Sequence, residues 1–200
     1  MSDRVEDESS PQKMIRHILL LVTLVLWQLC ASQDCESLNT TSAEQVVSAL
    51  DHGDIKAEDC SRVAFQRIEQ LPQDKAIPIL IGHLNFKRPG YPNAPHGLRS
   101  QYPAIESFYK VGLSAEPALI ELVAQNQNGD SLEYHNALSA LATIRHGDVV
   151  PTIKLLRARS RSLAGSPEAA RLDSAARDLL DRYCPKKLQR RCEERLRQPD

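Results

Sequence analysis

Aromatic residues make up only 4% of this chain, and glycine occupies 8 of its 200 positions. Sandwiches and barrels of short strands draw on aromatic and β-branched residues for their faces and on glycine for their turns, so this composition argues against them. Ala, Leu and Arg fill the chain instead, as they fill helices. The short motifs of common chemistry are missing as well. There is no Gly-x-Ser-x-Gly elbow, no phosphate-binding glycine loop, no zinc-protease histidine pair and no Cys-x-x-Cys. His52, His83, His96, His135 and His146 are scattered, and none stands at ligand spacing from another His or a Cys. The expectation is therefore a binding or scaffold protein without metal or cofactor, not an enzyme.

No apolar run reaches the ~20 residues that a helix needs to span a hydrocarbon core. The longest, residues 18–29, is an interval of twelve that follows Lys13, Arg16 and His17. A positive region, a short apolar region and then small residues form a secretory signal. Cys30 and Ser32 would occupy the −3 and −1 positions for cleavage before Gln33, so residues 1–32 are read as a signal peptide. The acidic and polar residues ahead of Met14 point to Met14 as a second candidate start. A secreted or periplasmic protein follows, with no stable membrane insertion once the signal is removed. Retention of the segment as an anchor for a structural subunit is the competing reading.

A formal net charge of −1 conceals two opposite halves. Residues 33–153 carry 9 Lys or Arg against 15 Asp or Glu, and residues 154–200 carry 13 against 7. The basic end raises nucleic acid as a partner. Export and the lack of interleaved aromatic residues argue against it.

Helical patterns run through the chain. Thr41 and Glu44 form a capping-box pattern ahead of Val46, Val47 and Leu50, with Gly53 as the stop. Cys60, Val63, Ala64, Ile68 and Leu71 share one helix face, and Ile77, Leu80, Ile81 and Leu84 share the next. Ser114 stands three residues before Pro117, with Ala115, Ala118, Leu119 and Leu122 on one face. Asp148 stands three before Pro151, with Val149, Ile153 and Leu156 in the same places. Proline suits a first turn because its missing N–H has no intrahelical partner there, and Ser or Asp can cap the rest. Ala76, Pro78 and Leu80 form a third copy upstream, so the prolines step by 39 and then 34 residues.

Each proline-led stretch follows another amphipathic one, and a unit of 34 to 39 residues is the size of a stacked helix pair. Residues 57–160 thus resemble the HEAT-like repeat family, including the short variant of phycobilisome lyases. The resemblance implies an all-α fold, a short α-solenoid of about three HEAT-like helix pairs over residues 57–164. An N-terminal capping segment at 33–56 and C-terminal capping helices at 165–200 would close its ends. It also implies an extended surface for a protein partner. A small lyase-like enzyme on the same array is the alternative, although no motif here carries that activity.

The mature chain retains Cys35, Cys60, Cys184 and Cys192, an even number that suggests two disulfides in an exported protein. Three pairings exist. Since each repeat of a solenoid touches only its neighbours, the resemblance favours Cys35 with Cys60 and Cys184 with Cys192. Eight residues of unbroken helix would hold the second pair ~12 Å apart, so Pro185 must bend the chain.

Residues 86–101 contain three prolines and two glycines and interrupt the array. Repeat insertions of this length commonly lie on a binding face. Lys87, Arg88, Tyr91, His96, Arg99 and Tyr102 are accordingly the candidate partner-binding residues.

Overall fold

The structure, a computed structural model, describes residues 35–91 and 101–198. The proposed signal segment lies outside the described residues, as do His96 and Arg99. Every regular element among the described residues is helical: α1 (Cys35–Thr40), α2 (Ala43–Asp51), α3 (Glu58–Glu69), α4 (Gln73–Gly82), α5 (Pro103–Val111), α6 (Glu116–Gln125), α7 (Leu132–Ile144), α8 (Val150–Ser162), α9 (Pro167–Tyr183) and α10 (Lys186–Arg197). A single 3-10 turn, Gly112–Ala115, joins α5 to α6.

Local sequence explains most of the helix ends. Ser42, not Thr41, caps α2: its Oγ accepts from the Gln45 N–H at 3.3 Å, and the Gln45 side chain accepts from the Ser42 N–H at 3.1 Å. The reciprocal box therefore sits one residue later than the Thr41–Glu44 pattern suggests, because the Thr41 hydroxyl donates back to the Ser37 carbonyl. Gly53 ends α2 at φ 66°, and the following Asp54 N–H reaches back to the Ala49 carbonyl at 2.9 Å. The same closure ends α7, where the Gly147 N–H bonds the Ala142 carbonyl at 2.8 Å. There two left-handed residues follow one another, His146 at φ 53° and Gly147 at φ 86°. Pro117 and Pro151 stand in the first turns of α6 and α8, where no amide is missed. Pro78 does not match them, because α4 begins at Gln73 and encloses it. Ser114 does not cap α6; its hydroxyl donates to the Val111 carbonyl.

One core runs through the described residues. α3, α5 and α7 pack side by side through Phe65, Ile68, Ile105, Phe108, Leu138 and Leu141, and α4 lies against α3 and α5. α6 packs on α7 and α9, while the main neighbour of α8 is α9, the helix that follows it. Leu119 and Ile153, the central apolar residues of the two proline-led helices, have no exposed surface. Asn136 of α7 is also fully buried, and its amide donates to the Leu84 carbonyl at 3.1 Å, fastening α7 to the end of α4.

Two disulfides clamp the periphery. Cys35 and Cys60 join α1 to α3 with Cα atoms 4.8 Å apart, and Cys184 and Cys192 join the end of α9 to α10 at 6.4 Å. Pro185 lies between the helices of the second pair, and the Leu188 N–H bonds its carbonyl at 2.7 Å as the chain turns into α10. No described helix is long and apolar enough to cross a membrane.

Candidate functional site: a polar groove between α3 and α5

Helices α3 and α5 bury Phe65, Ile68, Ile105 and Phe108 beneath them and leave a line of polar side chains at the seam above. Glu69, at the last position of α3, is the centre of that line. Its two oxygens accept from the Ser107 hydroxyl at 2.7 Å and from the Lys110 ammonium at 2.6 Å, tying α3 to α5. The carboxylate side chain is 11% exposed whereas Lys110 is 54% exposed, so the groove floor is acidic and one wall is cationic. A cleft of about 410 Å³ opens here, lined by Gln66, Glu69, Gln70, Leu71, Gln73, Ala76, Lys110 and Val111. A smaller cleft of about 100 Å³ shares Gln66, Glu69 and Lys110 with it and continues along Arg62, Arg88, Glu106 and Ser107.

The second cleft reaches the base of the proline-rich segment. The Arg88 N–H donates to the Gln101 carbonyl at 2.9 Å, which pins the two stems of residues 92–100 together. The Arg88 guanidinium is 11% exposed and spans two helix N-termini. It donates to Glu106 in the first turn of α5 at 3.0 Å and approaches Glu58 in the first turn of α3 at 3.7 Å. Its planar fork suits two carboxylates at once, and both acids favour the positive helix ends that they occupy. The guanidinium also lies 5.6 Å from the centre of the Tyr91 ring, a cation–π contact that orders the first stem. Among the described residues, two buried polar atoms here have no partner, Arg88 Nε and Gln101 Oε1. Gln101 is only 2% exposed, so this loss of hydration is not compensated among the described residues.

The sequence-expected residues therefore divide. Arg88 and Tyr91 meet at the groove's end, with Lys87 half-buried beside them. Tyr102 goes elsewhere: it is 4% exposed and belongs to the core, and burial raises its phenol above the ordinary value of 10.0. It precedes α5 on the inward face, so it offers no aromatic surface to a partner. Arg88 serves as a fastening for the segment's base rather than as a free charge. Glu69, Lys110 and Gln66 escaped the sequence analysis because Lys110 lies 41 positions from Glu69 on another helix; only the crossing of α3 and α5 brings it to the Gln66–Glu69 face.

A second polar cluster lies deeper. Glu116, which as a neighbour of Glu121 in the sequence suggests an ordinary exposed acid, is 5% exposed and is held by Arg145 and Thr152. Tyr134, 2% exposed, donates to Asp178 at 2.6 Å, and burial and then that bond push its phenol well above the usual range. Both clusters have their partners filled from within the chain. Among the described residues, no group of three or more His, Cys, Asp or Glu could hold a metal ion. Comparisons with protein-family models, with curated proteins and with solved structures find no match for this chain.

Proposed function

We propose that this is an exported, short α-solenoid of HEAT-like helix pairs that works as a protein-binding or scaffold module, with the groove between α3 and α5 as its recognition surface. The observation that carries this reading is the Arg88 bridge to Glu58 and Glu106, which seats the base of the proline-rich segment at the open end of the groove. Stems already fixed at Arg88 and Gln101 lose little entropy on meeting a partner. The groove supplies amide donors and acceptors from Gln66, Gln70 and Gln73, with an acidic floor and a cationic wall. This mixture fits an extended polar peptide better than a small apolar ligand. Two disulfides favour an oxidising compartment, in agreement with the signal-like residues 18–29. We read the protein as a binder and not as an enzyme or lyase, because its perturbed or buried acids are satisfied by structural partners.

The test is capture of partners from the exported fraction with the oxidised protein as bait, comparing the natural chain with Gln66→Ala/Tyr91→Ala. Gln66 is exposed and Tyr91 half-buried, so thermal unfolding should stay within a few degrees of the natural protein. Capture should fall about tenfold or more, the loss of one good contact cluster. Unaltered capture would remove the groove from consideration.

A further inference from the structure

α10 carries five of its six cations on one side and its anchors, Arg195 among them, on the other. At about 100° per residue, Lys186, Lys187, Arg190, Arg191 and Arg197 fall within an arc of about 140° that also holds one acid, Glu194, and Leu188, Cys192 and Leu196 fall opposite. The opposite side is tied down. Cys192 is bonded to Cys184, Cys192 and Leu196 pack against the core, and Arg195 holds both oxygens of Asp148 at 3.0 and 2.8 Å. All five cations are exposed. Among the described residues only Arg190 of the five has an ion-pair partner, Glu194, on the same helix.

This distribution works against the helix that carries it. Lys186 and Lys187 occupy the first turn, where the helix dipole favours acids, and no acid is present there. Lys186 with Arg190, and Lys187 with Arg191, are like charges four residues apart. A twelve-residue helix is already marginal alone. The disulfide and the Asp148–Arg195 pair offset these costs from the far side. A helix that only closed the core would need a polar outer face; it would not need one with five cations to a single acid, Glu194.

We propose that the exposed side of α10 is a docking surface for an anionic lipid bilayer. A rod about 18 Å long that presents point charges outward suits a broad charged plane. Leu188, 45% exposed and about 60° beyond the edge of the cationic arc, is the side chain of the apolar stripe that can reach the headgroup boundary. Because the other members of the apolar stripe are fastened to the body, the contact is electrostatic adsorption and not insertion. The surface is separate from the groove between α3 and α5, and neither depends on the other.

The experiment is sedimentation of the oxidised chain with phosphatidylcholine vesicles, with and without phosphatidylglycerol. Binding is expected only with the anionic vesicles and should weaken with salt. Removal of each cation should lower it about fivefold, so Lys187→Gln/Arg191→Gln should bind about 25-fold more weakly. The control pair Lys56→Gln/Lys75→Gln, with the same change in net charge, should bind like the natural chain. Equal binding to both vesicle types, an α10 variant that binds normally, or capture of soluble polyphosphate without vesicle binding would each overturn the proposal.

Discussion

Glu116, in the first turn of α6, and Arg145, at the C-terminal cap of α7, form a two-pronged ion pair: Arg145 Nε donates to one carboxylate oxygen at 3.0 Å and a terminal guanidinium nitrogen donates to the other. Each charge sits at the helix end whose dipole favours it. Thr152 of α8 completes the cluster by donating to Glu116 at 2.5 Å, so one buried carboxylate joins three helices.

Removing that carboxylate should be costly. Glu116→Ala strands a guanidinium that is only 21% exposed and a fully buried hydroxyl. The expected loss in urea unfolding is about 3 kcal/mol, the lower end for a broken buried pair because water still reaches Arg145. A loss below about 1 kcal/mol would show that the cluster relaxes into solvent.

Leu119→Ala and Ile153→Ala each delete atoms from a site with no exposed surface. Each should cost about 2 to 5 kcal/mol, with the spread set by how far the cavity collapses. Leu155→Ala on α8, where the side chain is 44% exposed, is the matched control and should cost well under about 1 kcal/mol.

The buried Tyr134 phenol gives stability an alkaline dependence. Its folded pKa is raised, first by burial and then by the bond to Asp178, so the folded state keeps a proton that the unfolded chain loses. The contribution is complete below the unfolded value of 10.0 and declines as pH rises above it. Thermal melts from pH 9 upward should therefore fall more steeply for the natural chain than for Tyr134→Phe; identical slopes would assign the alkaline loss to other groups.

Asp148 acts in the opposite direction. The Arg195 hydrogen bonds hold its carboxyl below the ordinary 3.8, so its contribution is present above that value and is lost as pH falls through the depressed one. Comparison of acid unfolding for the natural chain and Asp148→Asn should show the variant less sensitive in that window. The effect should be small, because both side chains are about half exposed.

Non-reducing peptide mapping should recover Cys35 linked to Cys60 and Cys184 linked to Cys192. On chain-entropy grounds the two crosslinks contribute about 3.5 and about 2.5 kcal/mol. Replacing Cys184 and Cys192 with Ala should increase amide exchange selectively in α10, whose first-turn cations oppose its own dipole. Uniform exchange across the chain would contradict that dependence.

Spacing along the chain alone determined that the protein is helical, where Gly53 ends α2, that Pro117 and Pro151 open helices, and that Leu119 and Ile153 face inward. Those features depend on contacts three or four residues away, which a sequence displays directly. The cap is Ser42, one residue beyond the Thr41 that the sequence pattern favours, since the two compete for the same role and the Ser37 carbonyl takes the threonine hydroxyl. Other features depended on residues far apart in the chain. Only packing decided that Tyr102 enters the core, that Arg88 fastens two helix N-termini, that Pro78 lies inside α4, and that Glu116 is buried while Glu121 is exposed. Arg145 lies 29 positions from Glu116, and Lys110 lies 41 from Glu69. No local period records such pairs; they exist only because the apolar faces beneath them fix where the helices cross.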